Sequence, residues 1–192
     1  MGVNSAGTRT NGVHATAKLG MSPEGTLEQL AKEQGVTTID VVRNLLPDHR
    51  TIVAGGHLPH IMREVSSWGE ILLVIHTPDV VLEWPTQIPT GTASDGYFRF
   101  PGDTPIGGNI RWENCQHVAF ICRPFLDRAS RSIQFFNADG EVMFKIFVMR
   151  DGQRNLVPEQ VEKFEALRAR CSRQAPHPLG LEDEILPRGD LA

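Results

Sequence analysis

The stretch RSIQFFNADGEVMFKIFVM, residues 131–149, decides the fold class of this chain of 192 residues. Its two arms, residues 131–136 and 141–149, are rich in aromatic and β-branched residues, which favour strands. Between the arms lies NADG, residues 137–140, a sequence typical of a hairpin turn. Strands joined by so short a connection pair antiparallel, so the stretch predicts an antiparallel hairpin.

Similar β-rich runs, separated by turn residues, precede this hairpin. Five more strands are predicted: Ile71–His76, Val80–Trp84, Gly96–Phe100, Gly108–Trp112 and His117–Arg123. The sequence Thr77-Pro78-Asp79 predicts a tight turn between the first two of them. Short connections again require antiparallel pairing, so these runs belong to one large antiparallel sheet.

Helical periodicity occurs before and after this β-rich region. A first helix is predicted with Ser22 as its N-cap, Pro23 in its first position and Gly35 as its stop. Three further helices are predicted at Thr38–Leu46, Pro59–Ser67 and Pro158–Arg170. The result is an α+β protein in which a large antiparallel sheet, two-layered or folded as a split barrel, carries N-terminal helices and one C-terminal helix.

The domain organisation is one folded unit between two tails. Residues 1–20 are rich in Gly, Ser, Thr and Asn, and residues 172–192 carry prolines and acidic residues. Neither segment has periodic apolar positions. We therefore expect flexible tails at 1–20 and 172–192 around a single domain at 22–171.

Composition narrows the class of protein. Hydrophobic residues make up 40% of the chain and charged residues 22%, which is typical of a soluble globular protein. The net charge of -4 gives little support to nucleic-acid binding. No apolar run approaches the roughly 20 residues that span a bilayer, and no signal peptide is recognisable. Three cysteines without CxxC spacing fit a reducing cytoplasm.

Strand alternation sorts one group of polar side chains. Tyr97, the single tyrosine of the chain, shares a strand face with Arg99, opposite two phenylalanines. In a neighbouring strand Asn109 and Arg111 share a face, opposite Ile110 and Trp112. These four polar side chains point away from the predicted core. Their surface is either a solvated face or a ligand cleft.

Two histidine features have alternative explanations. His76 ends the apolar strand 71–75 on the face of Leu72 and Val74. It is either a strand-end histidine satisfied by the following turn, or an imidazole at the mouth of an apolar pocket that holds a planar hydrophobic ligand with a metal. His57 and His60 lie about one helical turn apart, and without a third ligand they indicate a surface role rather than a metal site.

The motifs of the chain give little support to an enzymatic or a DNA-binding function. The chain has no GxSxG, HExxH or Walker-type motif, so hydrolytic and nucleotide chemistry are not indicated. Residues 27–41 have the spacing of a helix-turn-helix, with Gly35 at the turn. The second helix offers Arg43 as its one cation, beside Asp40. We expect these helices to pack against the core, with a transcription regulator as an alternative.

Collinear segments of the chain carry a family resemblance. They are Gly25–Leu27, Val41–Leu45, Trp68-Gly69, Val74–Glu83, Gly96–Phe98, Glu113–Ala119, Phe135–Gly140, Met143–Val148 and Arg150-Asp151. Together they resemble the intracellular haem-utilisation carriers of the HutX/ChuX family. The resemblance covers about residues 23–167, nearly the whole predicted domain.

The resemblance implies a cytoplasmic carrier or storage protein of Gram-negative bacteria that takes part in haem uptake and iron utilisation. Haem b would be bound as cargo and passed to a haem-degrading protein. The carrier would be a homodimer whose protomer is similar to one half of HemS/ChuS-type haem proteins. It would bind no nucleic acid and insert in no membrane. It would not be an enzyme, with haem degradation as the alternative.

The resemblance also implies site residues. The tyrosine that ligates iron in some members matches Tyr97, and one implicated histidine matches His76, which would be an alternative ligand or a pocket residue. A second implicated histidine falls at Asn109 in this chain. A phenolate favours ferric iron, and Arg99 and Arg111 are placed to meet the two propionates.

Overall fold

The structure is a computed structural model that describes residues 25–176. The α-helices in this range are α1 (Leu27–Gln34), α2 (Thr38–Arg43), α3 (Leu58–Val65) and α4 (Pro158–Arg173). The strands are β1 (Arg50–Ala54), β2 (Glu70–His76), β3 (Val81–Gln87), β4 (Thr92–Ser94), β5 (Tyr97–Arg99), β6 (Asn109–Arg111), β7 (His117–Ile121), β8 (Ser132–Phe136) and β9 (Val142–Phe147). The predicted α+β class is confirmed.

The strands form two antiparallel sheets. The large sheet has six strands in the order β1-β7-β8-β9-β2-β3, and the small one has three in the order β4-β5-β6. The predicted hairpin supplies β8 and β9, the two central strands of the large sheet. Its turn residue Gly140 has φ +80°, and its carbonyl accepts a hydrogen bond from the Ile39 amide of α2 at 3.0 Å. The hairpin thus positions the helical pair.

The large sheet is covered on both faces. On one face, α1 and α2 pack against Ala119, Ile121 and Phe136. On the other face, α3, α4 and the small sheet pack against a second set of buried side chains that includes Phe120, Phe135 and Ile146. Phe98 of β5 belongs to this second cluster, as its predicted inward orientation requires. The two faces therefore have separate cores.

The helical pair differs from the prediction at its start. α1 begins at Leu27, and Thr26 is its N-cap in a capping box with Gln29. The predicted cap, Ser22-Pro23, lies outside the described residues, and Gly25 at φ +89° separates it from the helix. Gly35 ends α1 in a left-handed conformation, as predicted.

The second helix is shorter than expected. α2 ends at Arg43 rather than at the predicted Leu46, because the chain turns at Asn44, whose side-chain amide donates to the Asp40 carbonyl. Four of its six residues are buried, so α2 packs on the sheet as expected. At the other end of the chain, α4 runs to Arg173, two residues past the predicted limit of the domain. The strands β1 and β4 were not predicted.

Candidate functional site

A cavity of about 550 Å³ lies beside α1 on its face of the large sheet. The two N-terminal helices cover the β7 and β8 side of that face and leave the neighbouring strands β9, β2 and β3 partly open. Apolar side chains form much of its wall: Leu72, Val74, Val81, Ile121, Phe125, Phe147, Val148, Met149 and Leu156. This volume is within the range of small-molecule sites.

The floor of the cavity is polar. Ser132 and Gln134 lie two apart on β8 and share a face, and Lys145 of β9 is the register partner of Gln134. Their exposed fractions are 2%, 4% and 5%. The Gln134 amide nitrogen donates to the Ser132 hydroxyl at 3.1 Å, while its oxygen Oε1 has no hydrogen-bond partner within residues 25–176. Buried polar atoms ordinarily have a hydrogen-bond partner. The Gln134 oxygen is therefore a buried acceptor that the described residues leave unsatisfied.

An ion pair closes the cavity against α1. The Lys145 amine contacts the carboxylate of Glu28, which lies in the first turn of α1. His76 Nδ1 lies 3.5 Å from the second oxygen of the same carboxylate. The helix dipole favours an acidic group at this position, and the buried amine requires a counter-ion. The contact therefore fixes the start of α1 to the centre of the sheet.

Two arginines also line the cavity. Arg123 Nη1 donates to the Gly25 carbonyl at 3.1 Å, and burial lowers the pKa of Arg123 by desolvation. Arg150 donates through Nη1 to the Arg154 carbonyl at 2.9 Å and through Nη2 to the Ala129 carbonyl at 2.6 Å. Both cations are thus fixed by backbone oxygens. The lining combines apolar walls with cationic groups.

A second polar surface lies on the small sheet. Tyr97 is opposite Arg111 in the β5–β6 register, and Arg99 is opposite Asn109. The Arg99 guanidinium carbon lies 5.5 Å from the centroid of the Tyr97 ring, a cation–π contact. Tyr97 is half-buried, and the other three side chains are exposed. We call these four residues the tyrosine patch.

Acidic neighbours restrain the two arginines of the tyrosine patch. Arg99 Nη1 donates to the Ser94 carbonyl at 2.9 Å, and its Nη2 lies 3.7 Å from Asp95. Arg111 Nε lies 4.0 Å from a Glu113 oxygen. Exposed ion pairs of this kind are weak, so both guanidinium groups are available to an anionic ligand.

The structure divides the residues that the sequence grouped together. His76 lines the cavity, which agrees with an imidazole at an apolar pocket. The tyrosine patch belongs to the small sheet, which packs on the other face of the large sheet. Tyr97 and His76 of the chain are therefore separated by the large sheet. They do not form one site.

Sequence reasoning missed the polar floor of the cavity. Gln134 and Lys145 stand inside the otherwise apolar strand sequences SIQFF and VMFKIF. A polar residue at a position that alternation assigns to a buried face is the signal that indicates such a floor. Glu28 has no comparable signal, because an acidic residue in the first turn of a helix is ordinary.

The cysteines and histidines of the described range form no metal site. Burial raises the pKa of Cys115 to about 12 and that of Cys171 to about 11, so both thiols stay protonated near neutral pH. No group of three or more metal-ligating side chains occurs within residues 25–176. His57 is buried rather than on the surface as predicted, and its pKa is lowered by desolvation.

The protein is of the α+β class, and its cavity has the volume and the mainly apolar lining of a small-molecule site. The family model described as "Haem utilisation ChuX/HutX" matches residues 51–167. An intracellular heme transport protein, HutX of Vibrio cholerae, is 34% identical over 139 residues, which are 72% of each chain. The chain therefore belongs to the ChuX/HutX haem utilisation family.

Solved structures agree with this assignment. The heme binding protein ChuX is 39% identical with a TM-score of 0.74, over 81% of this chain and 97% of that one. ChuS, an Escherichia coli heme oxygenase, is 14% identical with a TM-score of 0.65, over 85% of this chain and 50% of that one. The second likeness shows the fold alone and confirms that the fold of this chain resembles one half of a ChuS-type protein. In the described range, no helix has the length and apolar character needed to cross a bilayer.

The ion pair under α1 gives a stability prediction. Glu28→Gln leaves the Lys145 amine buried without a counter-ion, and we expect the free energy of unfolding to fall by about 3 kcal/mol. Urea denaturation at neutral pH measures this change. The matched control is Glu159→Gln, which breaks the exposed 2.8 Å pair with Lys163 and should leave the unfolding curve unchanged. A Glu28→Gln variant as stable as its control would contradict the role of the pair.

Proposed function

We propose that this protein is an intracellular, non-catalytic haem carrier of a Gram-negative bacterium that stores haem or passes it to a haem-degrading protein. Family membership supports haem as the cargo, since relatives are named for heme transport and heme binding. The single observation that carries the proposal for this chain is the tyrosine patch. It offers a phenol oxygen as a ligand for iron and two cations for the propionates on one open surface.

Tyr97 is the proposed iron ligand. A phenolate is a hard anionic donor that favours ferric iron, and the half-buried ring is fixed by its contact with Arg99. Arg99 and Arg111 are proposed to bind the propionates through charge-assisted hydrogen bonds. Asn109 lies beside both arginines and contributes a polar amide rather than an imidazole. One protein ligand on an open surface suits a carrier, because release requires a single bond to be exchanged.

His76 is the second candidate for the iron ligand. Its place in the lining of an apolar cavity favours it, because a planar hydrophobic macrocycle loses water-exposed surface there. The Glu28 carboxylate lies 3.5 Å from the ring nitrogen Nδ1, which leaves Nε2 for iron, and a carboxylate beside the second ring nitrogen is usual for a histidine that ligates a metal. A haem bound through His76 would use Nε2.

Ligand assignment is tested by titrating ferric haem into wild type, Tyr97→Phe and His76→Ala and recording visible spectra and affinities. We expect Tyr97→Phe alone to lose the phenolate-to-iron charge-transfer bands and to weaken binding at least tenfold, about 1.4 kcal/mol. His76→Ala serves as the matched variant and should keep both the spectrum and the affinity. An unchanged Tyr97→Phe spectrum would refute the assignment, and a change confined to His76→Ala would transfer it to the cavity.

A separate experiment tests whether the protein carries haem without degrading it. The haem complex is incubated with ascorbate, or with NADPH and a reductase, while the Soret band is followed. We expect intact haem, because the histidine implicated in some members is replaced by Asn109. Loss of the Soret band with release of biliverdin would instead identify a haem-degrading enzyme.

A homodimer is proposed through the β3 edge of the large sheet. Leu82 and Trp84 of β3 are 57% and 50% exposed, and Ile75 of β2 lies opposite Leu82 in the register. These side chains form an apolar surface on the face away from the cavity. Exposed edge strands favour pairing with another chain, and a twofold axis would bury this surface against its own copy.

Sedimentation velocity at micromolar concentration tests the proposed interface. We expect wild type to sediment as a dimer and Trp84→Glu as a monomer, because the new carboxylate would be buried in the interface. Leu46→Glu is the matched control, since Leu46 is 49% exposed on a different part of the surface. A monomeric wild type, or a Trp84→Glu variant that remains dimeric, would exclude this interface.

A further inference from the structure

A short hairpin between β7 and β8 presents apolar side chains to solvent. We call residues 124–129 the apolar hairpin. Leu126 at its tip is 64% exposed, and the neighbouring Phe125 is 40% exposed. Arginines surround this tip. We propose that the apolar hairpin docks the protein peripherally on a membrane surface rich in anionic phospholipid, with Leu126 and Phe125 entering the headgroup region.

The backbone of the apolar hairpin holds Leu126 at the tip. The Phe125 amide donates to the Arg128 carbonyl at 2.9 Å, and the Arg128 amide donates to the Phe125 carbonyl at 3.1 Å. Between them, Leu126 and Asp127 have φ values of +48° and +57°, as in a type I′ turn. An aspartate tolerates this left-handed conformation, whereas a leucine does so at a cost. An apolar side chain kept at a strained and exposed position indicates a role outside the core of the fold.

Arg150 supports the apolar hairpin from its base. Its Nη2 donates to the Ala129 carbonyl at 2.6 Å, and its Nη1 donates to the Arg154 carbonyl at 2.9 Å. One guanidinium therefore ties the hairpin to the adjacent turn at residues 151–155. The Asp151 carboxylate is engaged inside that turn, since its Oδ1 accepts hydrogen bonds from two backbone amides. The hairpin and the turn thus form one connected surface.

The charge of this surface is positive, although the whole chain carries a net charge of -4. Arg128 and Arg154 are exposed, and neither side chain has a partner among residues 25–176. Together with Arg150 they outnumber Asp127 and Asp151, the acidic residues of the two loops. A local excess of cations on an acidic protein directs this surface toward an anionic partner.

The shape of the tip favours a lipid surface over a protein. Residues 124–129 are all exposed, so the tip is a protrusion and not a groove. A protein partner holds a protruding apolar side chain in a fitted pocket, whereas a bilayer accepts one without such a pocket. Apolar side chains that enter the acyl boundary while nearby cations remain at anionic headgroups are typical of interfacial membrane binding.

Contact of this kind is peripheral and needs no membrane-spanning helix. Because only two apolar side chains enter the lipid, we expect weak and reversible association that salt reverses. The inference does not rest on the proposed haem carriage, since Tyr97 lies on the small sheet and takes no part in it. Failure of the Tyr97 assignment would therefore leave this proposal unaffected.

Co-sedimentation with vesicles tests the proposal, using the full chain free of haem. One set of vesicles contains equal parts of phosphatidylglycerol and phosphatidylethanolamine, and the other contains phosphatidylcholine alone. Both are measured at low and at high salt. Soluble polyglutamate is the third probe, followed by calorimetric titration, because it offers carboxylates without a lipid surface.

We expect wild type to partition onto the anionic vesicles about tenfold more strongly than onto phosphatidylcholine, and to dissociate at high salt. Leu126→Glu should weaken this partition about tenfold, because it replaces an apolar contact by a like charge. Leu126→Asn suits the left-handed turn, so it should raise the unfolding temperature and still lose partition. Leu46→Glu is the matched control, since it adds the same charge at a side chain that is 49% exposed elsewhere on the surface.

Four results would overturn the proposal. The first is no partition of wild type onto anionic vesicles at low salt, and the second is equal partition onto both kinds of vesicle. The third is partition that both Leu126 variants retain, or that Leu46→Glu loses to the same extent as Leu126→Glu. The fourth is binding to polyglutamate without binding to vesicles, which would identify an acidic protein as the partner.

Discussion

A charged amine lies near the centre of the large sheet, where Lys145 occupies one of the two middle strands and is 5% exposed. A lysine in that position requires a counter-ion, and Glu28 of α1 supplies it. The helix therefore cannot slide along the sheet without uncovering an unpaired charge. Its fixed position leaves β9, β2 and β3 partly uncovered, and the cavity occupies that space. Together with the apolar packing of α1 on the sheet, this ion pair fixes where α1 sits and so where the cavity lies.

The sequence could predict most of the sheet because its signals are local. The hairpin at residues 131–149 carries both strand alternation and turn residues, and it forms the centre of the sheet. β4 was missed because its sequence, Thr-Ala-Ser, contains no aromatic or large aliphatic residue, whereas the equally short β5 and β6 contain Phe98 and Ile110. β1 was missed because its partner β7 lies far along the chain. The start of α1 was misplaced because a capping box at Thr26 and Gln29 forms the cap, whereas the Ser-Pro signal lies upstream.

The candidate site was also predictable in part, because strand alternation is a local signal. Alternation placed Tyr97, Arg99, Asn109 and Arg111 on one outward surface, and the β5–β6 register brings them together. Alternation also placed His76 on an apolar face. It cannot show that these two surfaces lie on opposite sides of the large sheet, because that depends on how the chain crosses from β3 to the small sheet. The polar floor depends likewise on a pairing across β8 and β9.

The separation of the two surfaces bears on how cargo would leave the protein. A ligand on the tyrosine patch is approached by an acceptor from open solvent, and its exchange disturbs only exposed ion pairs such as Arg99 with Asp95. A ligand in the cavity lies beneath α1, whose start is tied to Lys145. Its exit is coupled to that buried contact, because movement of the helix separates Glu28 from the amine. Rapid transfer therefore favours the patch, and retention favours the cavity.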